Sequence, residues 1–441
     1  MRLEEKVLGD YSELLNNTLE RNKQAYIECL KGLVAHDSHD IGHGIEGGLE
    51  ANAQEYLVDL YGRMGADEVQ RDPLDEQVIE ESLKKYGEGN PGHNLDNRYN
   101  VYATFKGQGG KSLLLDGHVD HMPATEEEAA RWTTPPLEPT VRDGKIYGLG
   151  VDDMKAGLMA AIMSVRLLKD AGIPLPGDVT IASVCDEEGG GNGSVVATNH
   201  GIHADAVVVC EPTNYELIAA HMGWVFFKVE FEGIAVHSGL KLKGVSAIEK
   251  AIKVIHAIDE MEHRWLLTYK HPLLPPPSSN VGVISGGEAG STVPDYCCFQ
   301  TCVHYLPNVM SRQQVIDEYT ATIYRCCEGD EWLKDHKPKI SVYQTGNPFE
   351  MDLAHPFVAS FTQAYREAIG HDVRVVGSPA GCDSRLWLHI AGCPTLQYGP
   401  GALEQSHAID EYVTVEQYLD AIKIYAHLIL DWCGGEQDKE A

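Results

Sequence analysis

Short apolar runs alternate with amphipathic helical segments along the first half of the chain, and no other feature of the sequence restricts the fold as strongly. The apolar runs are β-branched or wholly hydrophobic, whereas the longer segments repeat their hydrophobic residues at helical spacing. Strands are predicted at residues 101–105, 112–115, 179–184 and 206–209, and the principal helix at residues 154–169. Apolar strands separated by helices are typical of a mostly parallel, buried sheet. We therefore predict an α/β domain.

A different pattern follows Glu211. Its order is strand, helix, strand, strand, helix and strand, at residues 224–232, 246–263, 280–284, 296–305, 312–326 and 339–343. This order is that of the ferredoxin-like α+β unit. A helix at 356–369, an apolar strand at 394–398 and a helix at 415–432 then resume the first pattern. We expect an α/β domain built from residues 1–216 and 331–441 and interrupted by an α+β insert at residues 217–330.

The rest of the chain gives fewer predictions. Residues 21–64 predict two helices separated by a Gly- and His-rich break at 36–48, and the polar stretch 74–98, to which we assign no chemistry, predicts an excursion before the first strand. The first fifteen residues mix both charge signs and lack the apolar core of a signal peptide. The most apolar short segment, residues 157–165, has about half the length that a membrane span needs. We expect a soluble protein.

Composition and charge exclude several classes of function. Of the 441 residues, 43% are hydrophobic and 23% are charged, which is the balance of a globular enzyme and not of a disordered chain. The chain has 35 Lys and Arg against 66 Asp and Glu, a net charge of −31, so neither nucleic acid nor an anionic membrane is an expected partner. Eleven cysteines without CxxC pairs indicate reduced thiols and a cytoplasmic protein.

Acidic and histidine side chains follow the predicted strands, at the edge where open α/β sheets bind ligands. After the strand at 112–115 come His118, a ligand candidate, and Asp120, which could hold the second imidazole nitrogen of His118. After the strand at 179–184 come Glu187 and Glu188, in a run of three acids that a cation would stabilise. One of these two glutamates could bind a metal while the other transfers protons.

Three further candidates complete the set. Asp153 begins the principal helix and could bridge two metal ions, with Asp152 as the competing choice; Glu211 follows the strand at 206–209, and His407 lies in a long Gly/Pro-rich turn. Taken singly, these residues are more simply explained as a helix cap, a strand end and a surface loop, respectively. Together, the histidines and carboxylates form a ligand set suited to two zinc ions that share an aspartate and a water. Motifs for other chemistry, GxSxG and GxxxxGK[ST], are absent from the sequence.

The order of these segments resembles that of the co-catalytic zinc peptidases and deacylases, the family that includes acetylornithine deacetylase, succinyl-diaminopimelate desuccinylase, aminoacylase and glutamate carboxypeptidase. The matching segments, spread over roughly residues 26–432, are GHVDHMP, DMKAG, DEEGG, CEPT, and GPG followed by SHAIDEYV. The resemblance implies a catalytic domain with an inserted lid or dimerisation domain, and amide hydrolysis at two zinc ions, for which cobalt can substitute. It also implies individual roles: His118 and Glu211 on one zinc, Glu188 and His407 on the other, Asp153 as the bridge and Glu187 as the general base.

The resemblance extends to the insert, where the segment GIAVHSG contains His237. In the family this histidine donates to the oxyanion, in some relatives from the partner subunit of a homodimer. Many relatives also use a lid arginine to hold a substrate carboxylate, at a position where this chain has His304. Arg385, in GCDSRLW, is the remaining candidate for such an anchor, and an ion pair with an acid such as Asp383 is the alternative.

We predict an enzyme that hydrolyses the amide bond of an N-acylated amine or amino acid, with a small molecule as its substrate. A deacylase is preferred because DMK and YGPG followed by SHA look closest to the acetylornithine and succinyl-diaminopimelate enzymes. A dipeptidase or carboxypeptidase stays open, as does a deformylase or deacylase of an amine without an α-carboxylate. A metal-binding module without catalysis is disfavoured, because such a module has no need for a free base at Glu187.

Overall fold

The computed structural model describes residues 11–40 and 48–435, and the chain divides into two compact units. The first unit comprises the described residues of Met1–Ala219, Met351–Val376 and Cys382–Ala441, and the second comprises Ala220–Glu350 and Gly377–Gly381. The expectation of a chain without an export signal concerns the first fifteen residues, of which residues 1–10 lie outside the described chain. Part of the break expected between the first two helices, residues 41–47, also lies outside it.

The chain begins with helices and strands that alternate. In chain order they are α1 (Tyr11–Val34), α2 (Glu50–Met64), β1 (Glu68–Pro73), α3 (Glu76–Tyr86), β2 (Tyr99–Phe105), β3 (Gly110–His118), α4 (Glu126–Ala129), β4 (Thr140–Arg142), β5 (Lys145–Tyr147), α5 (Ala156–Asp170), β6 (Gly177–Val184), α6 (Asn192–Asn199), β7 (Val207–Val209) and β8 (Glu216–His221). Helix α5 is buried over almost its whole surface because its sequence, AGLMAAIMSVRLLKD, is apolar on every face until its last turn.

The second unit has the ferredoxin-like architecture that the sequence predicts. Its elements are β9 (Gly223–Glu232), β10 (Val236–His237), α7 (Ala247–Thr268), β11 (Ser278–Gly286), β12 (Thr292–Val293), β13 (Tyr296–Tyr305), α8 (Arg312–Glu328), β14 (Lys339–Gly346) and β15 (Phe349–Glu350). Four of the strands form an antiparallel sheet in the order β11-β13-β9-β14. Alternate residues of β9 point into a core formed with α7 and α8, where the ring of Phe227 stacks on that of Tyr319.

The chain then returns to the first unit. The closing elements are α9 (Pro356–Ile369), β16 (Arg374–Ser378), α10 (Ser384–His389), β17 (Thr395–Gln397), β18 (Tyr412–Thr414) and α11 (Val415–Gly434). Thr414 begins α11 with a capping box, in which its hydroxyl accepts from the backbone N–H of Gln417 and the Gln417 side chain reaches back. None of the helices that the structure describes is both long and apolar enough to cross a membrane.

The central sheet of the first unit has the strand order β1-β2-β6-β3-β7-β17-β8. The four middle strands, β6, β3, β7 and β17, are mutually parallel, whereas β1, β2 and β8 join antiparallel at the two sides. The predicted fold class, a mostly parallel α/β sheet with an inserted α+β unit, is therefore confirmed. Because the middle strands are parallel and adjacent, their carboxyl ends meet at one edge.

The polar stretch at residues 74–98 differs from the expected excursion. Its first half forms helix α3, whose apolar residues Ile79, Leu83 and Tyr86 recur at helical spacing and which buries Ile79 and Ser82. In its second half Glu88, Asn90, His93 and Arg98 are buried although they are polar, because their side chains find partners elsewhere in the first unit. This half takes part in the functional site described below.

Asp330 joins two elements of the second unit through hydrogen bonds to its carboxylate. The ammonium groups of Lys250 and Lys253, both on α7, lie 2.9 and 3.0 Å from its oxygens, and the backbone N–H groups of Trp332 and Leu333 donate to it at 3.0 Å. Burial opposes ionisation, but these four donors outweigh it and hold the pKa of Asp330 well below its usual range. The carboxylate therefore contributes to stability where it is ionised.

We expect Asp330→Asn to lower the free energy of unfolding of the second unit by about 2 kcal/mol at pH 7, because two charged hydrogen bonds are lost. Since the folded pKa is depressed, this contribution is present above the unfolded pKa of about 4 and disappears as pH falls through the folded value. Hydrogen exchange of residues 312–346 in urea, at pH 7 and pH 3, measures it. The exposed Asp335→Asn is the control, and an equal loss at both pH values would contradict the assignment.

Candidate metal centre

Three strand ends and two loops supply the side chains of the site. His118 ends β3, and in the parallel register it lies opposite Val184 at the end of β6. The turn that contains Glu187 and Glu188 therefore starts beside the imidazole. Glu211 follows the end of β7, which is the other parallel neighbour of β3. The sheet thus brings together side chains that are far apart in the sequence.

The first group of potential ligands consists of His118, Glu187 and Glu211, one atom of each lying within 4.8 Å of the others. The Nε2 atom of His118 is 3.8 Å from Oε1 of Glu211. Its Nδ1 atom is 3.0 Å from the backbone carbonyl oxygen of Asp120, to which it donates. That hydrogen bond leaves the Nε2 lone pair facing the group. The Asp120 carboxylate lies beside the same nitrogen, with its Oδ1 3.6 Å from Nδ1 of His118, and its Oδ2 accepts from the backbone N–H of Glu188 at 3.0 Å.

The second group consists of Asp153, Glu188 and His407, again within 4.8 Å of one another. The Nε2 atom of His407 is 2.9 Å from Oε1 of Glu188 and 3.6 Å from Oδ2 of Asp153. The other oxygen of Asp153, Oδ1, is 3.1 Å from Nε2 of His118 in the first group. One carboxylate therefore faces a histidine of each group, which is the geometry that a bridging ligand requires.

Asp152, the competing choice for the bridge, faces away from both groups. Its Oδ1 accepts from the backbone N–H of Ala402 at 3.0 Å and its Oδ2 lies 3.4 Å from the Ser406 hydroxyl. It therefore anchors the loop that ends in His407. The peptide N–H groups of Asp152 and Asp153 donate to the buried carboxylate of Glu411 at 2.7 and 3.2 Å, which fixes the backbone from which Asp153 projects.

The electrostatics of the site favour the binding of positive charge. Burial, reinforced by neighbouring carboxylates, raises the pKa of Glu187 and of Glu211 well above the usual range. Burial opposes the charged form of His118, but Asp120 and Asp153 outweigh it and raise the pKa of that imidazole. The hydrogen bond to Glu188 raises the pKa of His407 to about 9. Carboxylates this close hold their negative charge only if protons or cations compensate it.

Divalent metal ions fit this arrangement. The two groups offer imidazole nitrogen and carboxylate oxygen, the donor set of zinc and of other borderline divalent ions. The Nδ1 hydrogen bond of His118 supplies the outer-sphere support that metal-bound histidines require. The residues present therefore fit metal ions at both groups.

A set of side chains from residues 88–98, to which the sequence reasoning assigned no chemistry, packs behind the acidic turn. Asn90 donates to the carbonyl oxygen of Gly189 at 2.5 Å, and His93 and Arg98 both contact the carboxylate of Asp186. No periodicity marks these residues, because they lie in an irregular segment whose partners are about a hundred positions away. The repeated polar residues between two Gly/Pro turns, in GEGNPGHNLDNR, were the one available signal.

Arg385 is buried, with 2% of its side chain exposed, and its guanidinium has partners within the first unit. The Nε atom donates to Glu88 at 2.9 Å, Nη1 donates to the carbonyl oxygen of Cys382 at 2.6 Å, and Asp383 lies 3.7 Å away. This geometry favours the ion-pair alternative over a carboxylate anchor, with Glu88 as the nearer acid. The glutamate could not be identified from the sequence because it lies 297 residues from Arg385.

The two histidines of interest in the insert belong to the second unit. His237 is exposed at the end of β10, and its Nδ1 accepts from the backbone N–H of Gly239 at 3.1 Å. His304 is half-buried on β13, where burial lowers its pKa and its Nε2 lies 3.4 Å from the Cys302 thiol. A neutral imidazole at this position carries no charge to attract a carboxylate.

Known proteins of one family are similar to this chain. Residues 114–431 match the peptidase family M20/M25/M40. The N-formyl-4-amino-5-aminomethyl-2-methylpyrimidine deformylases of Bacillus subtilis and Halalkalibacterium halodurans are 30% and 32% identical, over 77% and 76% of this chain and 84% and 83% of their own. Acetylornithine deacetylase of Proteus mirabilis is 29% identical over 78% of this chain and 84% of its own.

Solved structures show the same fold. A dipeptidase of Saccharomyces cerevisiae superposes with a TM-score of 0.76 over 97% of this chain and 99% of its own, at 15% identity. Human carnosine dipeptidase 1 superposes with a TM-score of 0.70 over 96% of this chain and 99% of its own, also at 15% identity. At this identity the likeness concerns the fold alone.

Fold and site together define a metal-dependent amide hydrolase. The chain belongs to the peptidase family M20/M25/M40, since the match covers well over half of its length. The resemblance stated from the sequence motifs is confirmed, and so is the predicted class of enzyme.

We expect Asp153→Ala to lose metal as well as activity, because the substitution removes the carboxylate that faces both groups. Metal content after dialysis against metal-free buffer, measured by inductively coupled plasma mass spectrometry, tests this. The control is Glu404→Ala, an exposed residue of the loop before His407, which should keep the wild-type content. Retention of two metal ions by Asp153→Ala would contradict the bridging position.

Proposed function

We propose that this enzyme is a di-zinc deacylase whose substrate is an N-acyl amine, preferably an N-formyl amine, without a carboxylate beside the scissile amide. His118 and Glu211 would hold one metal ion, Glu188 and His407 the other, with Asp153 between them. The bound ions would polarise the amide carbonyl and lower the pKa of a water, so that the water can lose a proton and attack the carbonyl carbon. Cobalt would replace zinc at the same ligands, because both ions accept nitrogen and oxygen donors.

Glu187 would act as the general base and acid. It lies in the turn beside the Nε2 side of His118, within the first group, and its half-buried carboxylate has a raised pKa. A carboxylate whose pKa is raised is a better proton acceptor than an exposed one. It would take a proton from the attacking water and deliver it to the amide nitrogen as the C–N bond breaks. The products are the free amine and the acid, which is formate for an N-formyl substrate.

The observation that supports an amine without a carboxylate is that the guanidinium of Arg385 is already paired with the carboxylate of Glu88. The buried Lys and Arg side chains among the described residues are Arg98, Lys155 and Arg385. Arg98 and Arg385 are paired with acids, and Lys155 donates to the carbonyl oxygen of His36 at 3.1 Å. A substrate carboxylate would thus approach a carboxylate-rich centre without a buried arginine to receive it. A neutral or cationic amine has no such cost.

The relatives point the same way. Two deformylases that act on an N-formylated aminopyrimidine match at 30% and 32% identity. An aminomethylpyrimidine has no carboxylate, and its amino groups can donate hydrogen bonds to acids. Acetylornithine deacetylases match at up to 29% identity, so a deacetylase of an N-acyl amino acid is the second candidate.

His237 stays the proposed donor to the oxyanion, and homodimerisation through the inserted unit stays a proposal with it. The support for a dimer is the outer strand β11, on which Val283 and Ile284 are half exposed. We also propose a reducing compartment such as the cytoplasm, because all eleven cysteines are free thiols.

A substrate panel tests the proposed class. We expect zinc-loaded enzyme to cleave N-formyl-4-amino-5-aminomethyl-2-methylpyrimidine with a kcat/KM at least tenfold above that for acetylornithine, because only the latter carries an α-carboxylate. Release of primary amine is the measurement, and chelator-treated enzyme is the control. A preference for acetylornithine would select the second candidate, and cleavage of dipeptides alone would overturn the deacylase assignment.

The role of Glu187 has its own test. We expect Glu187→Gln to bind the same amount of metal as the wild type while kcat falls by at least about a hundredfold, because the amide cannot accept the proton. Metal content and steady-state kinetics on the preferred substrate separate the two effects. Glu188→Gln is the matched comparison, since this neighbouring change should weaken metal binding. Near-normal turnover by Glu187→Gln would reject the general-base role.

A further inference from the structure

A buried ion cluster lies behind the acidic turn and centres on Arg98. Its Nη2 atom is 2.7 Å from Oδ1 of Asp186 and 3.1 Å from Oδ1 of Asp40, and its Nε donates to Glu50 at 2.9 Å. All four side chains are at most 2% exposed. The three carboxylates lie close enough to hold a metal ion. The guanidinium already lies among them, however, and it neutralises part of their charge.

The buried carboxylate of Asp186 has several hydrogen-bonding partners. Besides Arg98, it contacts Nδ1 of His93 at 2.9 Å and accepts from Nδ2 of Asn192 at 2.5 Å. Its backbone carbonyl oxygen accepts from the N–H of Gly191 at 2.9 Å. Side chain and backbone are thus both fixed, from the segment before β2 and from the start of α6.

The backbone of Asp186 explains why such fixation matters. Its φ is +61°, in the left-handed region. This conformation costs a non-glycine residue energy and persists only where the surroundings impose it. The residue links the end of β6 to Glu187 and Glu188, so its φ and ψ decide where both carboxylates point. An aspartate or asparagine tolerates this conformation better than other residues do. Other backbone conformations are also open to it, so contacts with its neighbours have to select this one.

We propose that Asp186, held by Arg98 and His93, is a positioning residue for the metal centre. It would fix the turn so that Glu188 reaches the second group and Glu187 reaches the first. Asp186 contacts neither substrate nor metal in this proposal and acts only through its two neighbours. The inference rests on the proposed function for its kinetic consequence, but its consequence for metal binding needs no substrate.

The test is Asp186→Asn, which keeps the size of the side chain and its tolerance of a positive φ but loses the ion pairs with Arg98 and His93. Titration of the metal-free enzyme with Co²⁺, followed by absorbance, measures the affinity of the two sites. Steady-state kinetics at saturating metal gives kcat and KM separately. We expect the weaker Co²⁺ site to lose at least tenfold in affinity and kcat to fall at least tenfold, with KM within threefold.

The matched control is Asp72→Asn, which makes the same substitution at another buried carboxylate of the first unit. Asp72 contacts His200 at 3.0 Å and accepts from the hydroxyl of Tyr102 at 2.8 Å, without touching the acidic turn. The Co²⁺ affinity and the kcat of Asp72→Asn should stay within threefold of the wild-type values, even if this variant has a lower thermal stability.

Arg98→Lys keeps the charge but loses the forked geometry, so its effects should be intermediate. A loss in either readout beyond tenfold relative to Asp72→Asn supports positioning. If Asp186→Asn matches Asp72→Asn in both Co²⁺ affinity and kcat, the proposal is overturned and the cluster only stabilises the fold. If the wild type cleaves no amide, the proposed function fails while the metal titration still decides this inference.

Discussion

Mutual repulsion among closely spaced carboxylates is the constraint on which the rest of this structure depends. Glu187, Glu188, Glu211 and Asp153 converge at one edge of the sheet, where burial and neighbouring carboxylates raise the pKa of Glu187 and of Glu211. Two devices compensate for this charge. Arginine and histidine side chains neutralise the acids behind the turn, and metal ions would neutralise those in front of it. The metal ions in front of the turn depend on the ion pairs behind it, because a turn that moved would change the distances between the carboxylates and the ions.

The division between the two devices explains why acids of similar sequence context have different roles. Asp186, Glu187 and Glu188 are consecutive, yet the first faces Arg98 and His93 while the other two belong to the two ligand groups. Asp152 and Asp153 are also consecutive, and one anchors the loop of His407 while the other lies between the groups. In both cases a single backbone position decides which way the next carboxylate points.

The sequence was informative wherever a residue follows a strand. His118, Glu187, Glu188 and Glu211 could be placed at one edge because β3, β6 and β7 are apolar and parallel, so their ends coincide whatever the details of packing. His407 could be placed only through the family motif, since a loop of that length has no periodicity. Asp153 and Asp152 could not be separated from residue type alone, because their difference lies in the partners of their side chains. The Asp152 carboxylate accepts from the backbone N–H of Ala402, whereas the Asp153 carboxylate faces His118 and His407.

What the sequence could not predict are the partners that lie far away along the chain. Arg98 meets Asp186 across 88 residues and Arg385 meets Glu88 across 297. The sequence around an arginine is the same whether its guanidinium binds a substrate or forms an ion pair within the protein, so only the structure distinguishes these two roles. For Arg385 the distinction changes the expected chemistry. A guanidinium that is already paired with Glu88 is not available to a substrate carboxylate, and for this reason the proposed substrate is an amine without one.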